Sequence, residues 1–404
     1  MHKIIKNCGI CESTNLVKSI ELKKFPLTGV IVERQIKNFS NYFDQKLNIC
    51  KNCGHIQLSK FLSRKSLYDE RYTFRTSASH LSDQSIKYFK NFLFKCYKKN
   101  FLGNVLEIGC NDIKLLKSLK NNSRSVFGID PIWKNKKKPN KKNFTIIGDY
   151  VENINFKKTI KENINIFLNT HNLEHIENPY KLLKKVVNFS DKNAFFFVEV
   201  PDADLMIRNC RFDQVFHQHY HYFTFNSLKN LIYRLNCKII KKSINYDFWG
   251  GSLLIAFKKN NQLKKAKLKN NFKTINTKVK KNYKHFRNHH KKLSIKLKNK
   301  NNLIGYGAGQ MLPSFAYHLN SNLDFLEYIL DDNKQRKGYK YQDLGPEIKP
   351  YLKNLLRKKE VLITALDGIK PISKKLRKNK IKFINPLIIR TRNKHCTDNF
   401  INFE

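Results

Sequence analysis

The stretch Val105-Leu-Glu-Ile-Gly-Cys-Asn-Asp112 limits what this chain can fold into more than any other. An apolar run broken by an acid and followed at once by glycine reads as a strand entering a tight turn, where the backbone can approach a ligand. Ser125-Val-Phe-Gly-Ile-Asp130 is a second strand, closed by an acid. Shorter apolar runs follow at residues 145–147, 165–168 and 194–200, and stretches with helical spacing separate them, one opening at Pro179 and one over residues 114–119. Strands alternating with helices build a parallel, doubly wound sheet with ligands at the carboxyl ends of its strands. The expected fold class is α/β.

On such a sheet the acid ending the second strand accepts the hydroxyls of a ribose, which assigns Asp130. The loop after Gly109 carries Cys110, Asn111, Asp112 and Ile113 and lacks the third glycine of a dinucleotide fingerprint. A pyrophosphate is poorly accommodated there, and a nucleoside without phosphate fits better. The expected cofactor is S-adenosylmethionine (SAM), held by Glu107, Gly109, Asn111 and Asp130. Asp149, after the third strand, is placed to read adenine. His171, after the fourth, faces the same crevice beside Glu174 and His175.

The N-terminus imposes a separate constraint. Cys8-Gly-Ile-Cys11 and Cys50-Lys-Asn-Cys53 each place two thiolates on one tight turn. Two such knuckles make the tetrahedral sulfur shell that suits Zn2+, and four cysteines leave no coordination position open for catalysis, so the zinc is read as structural. It compensates for the small core available to about 60 residues. With no apolar leader after Met1, the nine cysteines favour metal ligation over disulfides.

A chain of 404 residues exceeds one ordinary core, and 30 Phe with 18 Tyr supply interiors for more than one. The formal charge of +48, from 79 Lys+Arg against 31 Asp+Glu, is by itself the footprint of a nucleic-acid partner. Yet Lys and Asn are spread through every part of the chain, and Arg, the better residue for bidentate phosphate recognition, is scarce. A general drift in composition accounts for the charge, so nucleic acid is not the expected partner. The surplus suits attraction of an anionic substrate such as a sugar nucleotide. The longest apolar runs, residues 194–198 among them, are too short to cross a bilayer, which points to a cytoplasmic protein without a membrane partner.

Leu268, Phe272, Ile275, Val279, Tyr283, Phe286, Leu293 and Leu297 recur in threes and fours, the pattern of one face on a long helix joining two units. Residues 83–98 also show helical spacing. Leu303-Ile-Gly-Tyr-Gly-Ala-Gly309 opens a second, smaller α/β unit, whose glycine-rich turn at Gly305 and Gly307 either brings a helix N-terminus to a phosphate or is a plain tight turn. The expected division is a zinc-binding unit over 1–65, a central domain over 66–260, a linking helix over 261–302 and a C-terminal Rossmann-like unit over 303–404.

Phe212-Asp-Gln-Val-Phe-His-Gln-His-Tyr-His-Tyr-Phe223 sets three histidines among aromatics. Histidine suits proton abstraction near neutral pH. Extended backbone would turn His217, His219 and His221 to one face, and irregular backbone would spread them. A mononuclear metal site is the rival reading, though no carboxylate is spaced to complete it.

In order along the chain, these motifs resemble the zinc-containing C-methyltransferases that act on nucleotide-linked keto-sugars in deoxysugar pathways. The paired CxxC motifs come first, then Tyr72 and Thr76-Ser-Ala-Ser-His80, then Glu107-Ile-Gly-Cys-Asn-Asp112 near the family's EIGSNDG. Glu174-His175-Ile176, His217-Gln218-His219 with Tyr222-Phe223 (YHEHxxYFS in the family), Trp249-Gly250-Gly251-Ser252-Leu253 (HGGSLR) and Gly305-Tyr-Gly-Ala308 follow. The resemblance implies a class I methyltransferase domain between a zinc unit and a C-terminal unit that helps hold the sugar nucleotide. It implies His219 as the base that forms an enolate, with Gln218 and Tyr72 at the reacting centre. It also implies His217, Tyr222, Gly250, Gly251, Gly305 and Gly307 as substrate contacts. The chain departs from the family at Phe216 for Tyr, Gln218 for Glu, Ile113 for Gly and Phe248-Trp249 for His. A carboxylate beside the base would raise its basicity, and Gln cannot. Oxygen methylation, a nucleic-acid-directed zinc-ribbon methyltransferase and a non-catalytic homologue are the alternatives.

Overall fold

The structure, a computed structural model, describes residues 2–37, 39, 41–63, 67, 80–139, 142–260, 270–356 and 359–388. The N-terminal region is all β: β1 (His2–Ile4), β2 (Leu16–Pro26), β3 (Ile31–Val32), β4 (Tyr42–Cys50), β5 (Ile56–Leu58) and β6 (Lys60–Leu62). β2, β4 and β5 pair antiparallel, with Ile20, Leu22, Leu47, Ile49, Ile56 and Leu58 buried.

After α1 (His80–Tyr97) comes the alternation read from the sequence: β7 (Asn104–Ile108), α2 (Lys114–Leu119), β8 (Ser125–Ile129), β9 (Phe144–Ile147), α3 (Phe156–Thr159), β10 (Ile166–Thr170), α4 (Pro179–Phe189) and β11 (Phe195–Pro201). These five strands are parallel. Leu106, Phe127, Phe167, Phe196 and Val198 pack on one side of the sheet, and Val105, Val126, Ile146, Ile166 and Phe197 on the other, as expected of a sheet covered on both faces. α4 starts where Pro179 fixes φ and the Asn178 side chain accepts from Lys181 N, then buries Leu182, Leu183, Val186 and Val187. α5 (Ala203–Arg208), β12 (His221–Tyr222), α6 (Phe225–Arg234), β13 (Cys237–Asn245) and β14 (Ser252–Lys259) follow, and the last two strands add antiparallel. The order is β9-β8-β7-β10-β11-β14-β13. This is the class I methyltransferase arrangement, with its switch point between β7 and β10.

α7 (Phe272–Lys298) is a single helix of 27 residues that buries Ile275, Val279, Phe286, Leu293 and Leu297. Beyond it lie β15 (Leu303–Tyr306), α8 (Leu312–Leu319), β16 (Ile329–Asp331), β17 (Lys340–Tyr341), β18 (Ile348–Pro350), β19 (Glu360–Ile363), α9 (Ile369–Lys378) and β20 (Phe383–Ile384). A five-stranded parallel sheet, β18-β16-β15-β19-β20, forms the C-terminal unit.

Sheets cross the boundaries drawn from the sequence. β12 joins the N-terminal sheet through β5, pairing His221 with Gln57 and Tyr222 with Ile56. β17 pairs with β3. Arg211 is buried between Asp213 (Nη2–Oδ2 2.9 Å) and Asp367 (Nη2–Oδ1 2.8 Å), tying the C-terminal unit to the loop before the histidine cluster. No helix among the described residues is long and apolar enough to cross a membrane.

Candidate active site and zinc centre

At the switch point the carboxyl ends of β7, β8, β10 and β11 open on a cavity of about 620 Å3. Glu107, Gly109, Asn111, Asp130, Asp149 and His171 all line it. Gly109 has φ 78°, and a Cβ there would come within 2.5 Å of the Asn172 side chain. Asn111 and Ile113 also take positive φ, 42° and 62°. Ile113 holds the left-handed backbone for which the resembling family uses glycine, and its β-branched side chain is buried in the core. Asp130 pins two loops: Oδ2 accepts from Asn111 N at 2.8 Å and Oδ1 from Ile132 N at 3.0 Å. Burial pushes the Glu107 carboxyl up to about 8, against a 3.4 Å hydrogen bond from Thr170 and with help from Asp130 and Asp112.

The opposite wall carries His171, Glu174, His175, Phe216, Gln218, His219, Phe248, Trp249 and Gln310. Burial, and after it His175 and His171, hold the His219 imidazole well below its usual range, so it is neutral near pH 7. Its Nε2 lies 3.9 Å from Glu174 Oε1. Glu174 Oε1 is also 3.6 Å from His171 Nδ1, and His171 Nε2 is 3.5 Å from Glu199 Oε1 and 3.0 Å from Ser252 Oγ. Burial opposes charge on His171, but the carboxylates of Glu174 and Glu199 outweigh it and lift that imidazole to about 9. His175 Nδ1 donates to Gln218 O at 2.8 Å. Glu174, His175 and His219 bring their ligating atoms within 4.8 Å of one another, so the structure supplies the carboxylate that the sequence spacing did not.

Several expectations need correction. The three histidines diverge, because residues 216–219 turn (His219 N donates to Phe216 O, 3.1 Å) before β12 begins. His217 leaves the cavity: its Nε2 meets Phe25 O at 3.1 Å, its ring packs on Phe25 and Phe43, and burial pushes it down to about 4. His221 Nδ1 contacts His55 Nε2 at 2.9 Å beneath the zinc knuckle. Tyr222 is buried, its hydroxyl shared between Phe216 N and Phe216 O. Gln218 reaches the cavity edge but spends its amide on Thr28, accepting from Oγ1 at 3.0 Å and donating to the carbonyl at 3.1 Å. Gly250 and Gly251, at φ 68° and 128°, back onto Arg211 and Leu205 and do not line the cavity, which Trp249 beside them does. Gly305 and Gly307 do not line it either. A Cβ on Gly305 would meet Ile329 at 2.9 Å, one on Gly307 would meet Ala365 at 2.3 Å, and the turn is closed by Asp331 Oδ2 accepting from Ala308 N at 2.7 Å. Tyr72 and residues 76–79 lie outside the described residues.

Glu199 and Gln310 entered the wall unannounced. A lone acid inside the apolar run of β11 was a signal for Glu199. Gln310 had none, since it arrives from the C-terminal unit across Gly29. The wall and floor together hold seven carboxylates against two lysines. The basic surplus of the chain therefore lies elsewhere.

At the other end of the N-terminal sheet, Cys8 Sγ is 3.6 Å from Cys53 Sγ, Cys11 Sγ is 3.4 Å from Cys50 Sγ, and all four sulfurs lie within 4.8 Å of one another. A tetrahedron with Zn–S of about 2.3 Å has edges near 3.8 Å, so this set fits Zn2+.

Residues 77–242 match the family model described as "Methyltransferase domain", and residues 8–68 match that described as "Putative zinc binding domain". The central unit carries a methyltransferase domain. Among characterised proteins the chain is similar to C-methyltransferase NovU of Streptomyces niveus, 20% identical over 257 residues; the match spans 62% of this chain and 60% of that relative's length. Similar solved structures include N-methyltransferase NodS of Bradyrhizobium japonicum with S-adenosyl-L-homocysteine (TM-score 0.35, 11% identity, 48% of this chain and 95% of that one). A SAM-dependent methyltransferase of Clostridium acetobutylicum is another (TM-score 0.34, 10% identity, 46% and 98%).

The residues present fit SAM. At the strand ends of the cavity, Glu107 Oε2 and Asn111 Oδ1 are buried without a hydrogen-bond partner, an unfavourable state that a ligand with donors and positive charge relieves. Asp130 lines the cavity at the end of β8, where a carboxylate can accept ribose hydroxyls. A cavity rich in carboxylates suits a sulfonium better than a phosphate.

Proposed function

We propose that this protein methylates a small acceptor held between the cofactor end of the cavity and the His219 wall, and that the acceptor atom is a carbon next to the ketone of a nucleotide-linked sugar. The observation that carries the reading is His219: a buried, neutral imidazole that lines the same cavity as Asp130 and Glu107. When bound, SAM supplies an electrophilic methyl group. Asp130, Asn111 and Glu107 hold the nucleoside and amino-acid ends. His219 takes a proton from the acceptor at a ring nitrogen, leaving the electron pair on the carbon that is methylated. Phe216, Phe248 and Trp249 wall the acceptor from water and stack on a sugar ring. The acidic lining keeps the diphosphate outside the cavity. Similarity to a C-methyltransferase supports the choice of carbon.

The test incubates zinc-loaded protein with 13C-methyl SAM and a nucleoside-diphosphate 4-keto sugar, and follows the labelled methyl by NMR. A methyl bonded to carbon is expected. A methyl bonded to oxygen would replace this reading with O-methylation, His219 then deprotonating a hydroxyl. Absence of S-adenosylhomocysteine binding by folded protein would leave a non-catalytic homologue.

A further inference from the structure

We propose that Glu174 is the positioning carboxylate of this site, set against His219 to hold the charge that the imidazole gains on taking the acceptor's proton. The proposal rests on the reading of His219 as base. The chain lacks a carboxylate at position 218, where Gln218 is committed to Thr28. The loop after β10 supplies one from a different element. Glu174 is 1% exposed, and neither of its oxygens has a hydrogen-bond partner. A carboxylate so placed persists only with a charge partner nearby.

His171 is that partner in the resting site, but it is one cation between two carboxylates, Glu174 and Glu199. One negative charge is left over, 3.9 Å from His219 Nε2. When His219 is neutral the cluster carries this surplus. When the proton moves from acceptor to His219, the imidazolium and the surplus carboxylate neutralise each other, so the environment favours the charge distribution of the reaction over that of rest. Two other titratable groups on the same loop face His219: His171 and His175, which oppose its charge. The remaining rings against it, Phe216, Tyr222 and Trp249, are uncharged. His175 is held by Gln218 O and shapes the same wall. The balance is simple: the acceptor loses a proton and keeps the electron pair, His219 gains the proton, and Glu174 changes neither bonds nor protonation.

The same atoms could instead hold a divalent cation with His175, in which case His219 could not accept a proton. One set of measurements separates the two. Glu174→Gln, Glu174→Asp and His219→Ala are made in the full, zinc-loaded chain. The His219 pKa is read by imidazole NMR with S-adenosylhomocysteine bound. Exchange of the proton next to the ketone of a nucleoside-diphosphate 4-keto sugar is followed in D2O, alongside methyl transfer. Removing a negative neighbour disfavours the imidazolium, so Glu174→Gln is expected to lower the His219 pKa by about one unit and shift the acid limb of the rate profile down. Exchange and kcat should fall roughly a hundredfold with KM and S-adenosylhomocysteine affinity little changed, and Glu174→Asp should recover part of the loss. An unmoved His219 pKa in Glu174→Gln overturns the proposal, as does wild-type exchange in that variant when His219→Ala is inactive. A second equivalent of Co2+ or Zn2+, bound beyond the four-cysteine site and lost in Glu174→Gln, also overturns it. Wild-type turnover by His219→Ala would defeat the base reading instead, and the NMR shift would still report whether Glu174 faces His219.

Discussion

Replacing Asp130 by Asn tests how cofactor recognition and loop structure share one carboxylate. Asp130 accepts from Asn111 N at 2.8 Å and from Ile132 N at 3.0 Å, one on each oxygen. An amide offers a single acceptor oxygen, so either rotamer turns an NH2 group towards one of the two N–H donors. A hydrogen bond to a charged acceptor contributes about 1.5–3 kcal/mol, so the substitution costs about that much in loop stability before any ligand is considered. On the ligand side, ribose hydroxyls lose a charged acceptor, a change of about 2 kcal/mol or roughly thirtyfold in affinity. Calorimetric titration of S-adenosylhomocysteine gives the second quantity, and amide exchange at Asn111 and Ile132 gives the first. Asp149→Asn serves as the comparison. Asp149 also lines the cavity, but its Oδ1 accepts from neighbours within four residues, Tyr150 N and the Asn153 amide, so a smaller loss is expected. Wild-type affinity in Asp130→Asn would refute the ribose assignment, and unchanged exchange at both amides would refute the pinning argument.

Three further outcomes follow from the geometry. Gly109→Ala places a Cβ within 2.5 Å of Asn172 at φ 78°, so the loop carrying His171 and Glu174 must move; stability should fall by about 1–2 kcal/mol, seen in urea titration, and turnover should fall with it. Chelation of zinc should release the N-terminal sheet and with it β12 and the His219 turn, abolishing methyl transfer while S-adenosylhomocysteine affinity changes only a few-fold; elemental analysis should return one zinc per chain. The Glu107 carboxyl, raised to about 8 by burial, is largely protonated at pH 7, and a cationic ligand favours its ionised form, so SAM binding should release a proton at pH 7, and more of one than S-adenosylhomocysteine binding does. Titrations in buffers of different ionisation enthalpy check the sign. The same shift makes the Glu107 contribution to stability of the free protein decline as pH rises from about 4.5 to about 8, because the unfolded carboxyl ionises first.

The four-cysteine cluster and the strand-end wall of the cavity were legible in the sequence because their residues are local. Two CxxC turns fix four sulfurs whatever else the chain does, and a strand, a turn and an acid at the end of the next strand place Glu107, Gly109 and Asp130 on one sheet edge through backbone geometry alone. The apolar repeat of α7 likewise announced its buried face, Ile275, Val279, Phe286, Leu293 and Leu297 among it, while Leu268 lies outside the described residues. What the sequence could not say is which way a side chain turns once units pack. His217, His219 and His221 are equivalent in a string of residues. They part company because Phe25, the cavity and His55 each claim one of them, and two of these claimants come from β2 and the turn before β5 of the zinc-bearing sheet. Gln218 follows the same rule, drawn to Thr28 and away from the base. The glycines at 250, 251, 305 and 307 look like ligand contacts in sequence, yet their backbones approach Arg211, Leu205, Ala365 and Ile329. Glu174 was visible as a residue after the fourth strand, but its position opposite His219 depends on β12 joining the N-terminal sheet. Local backbone chemistry set the strand-end wall of the cavity and the four-cysteine cluster, and long-range packing among three interlocked sheets decided which polar groups meet at the His219 wall.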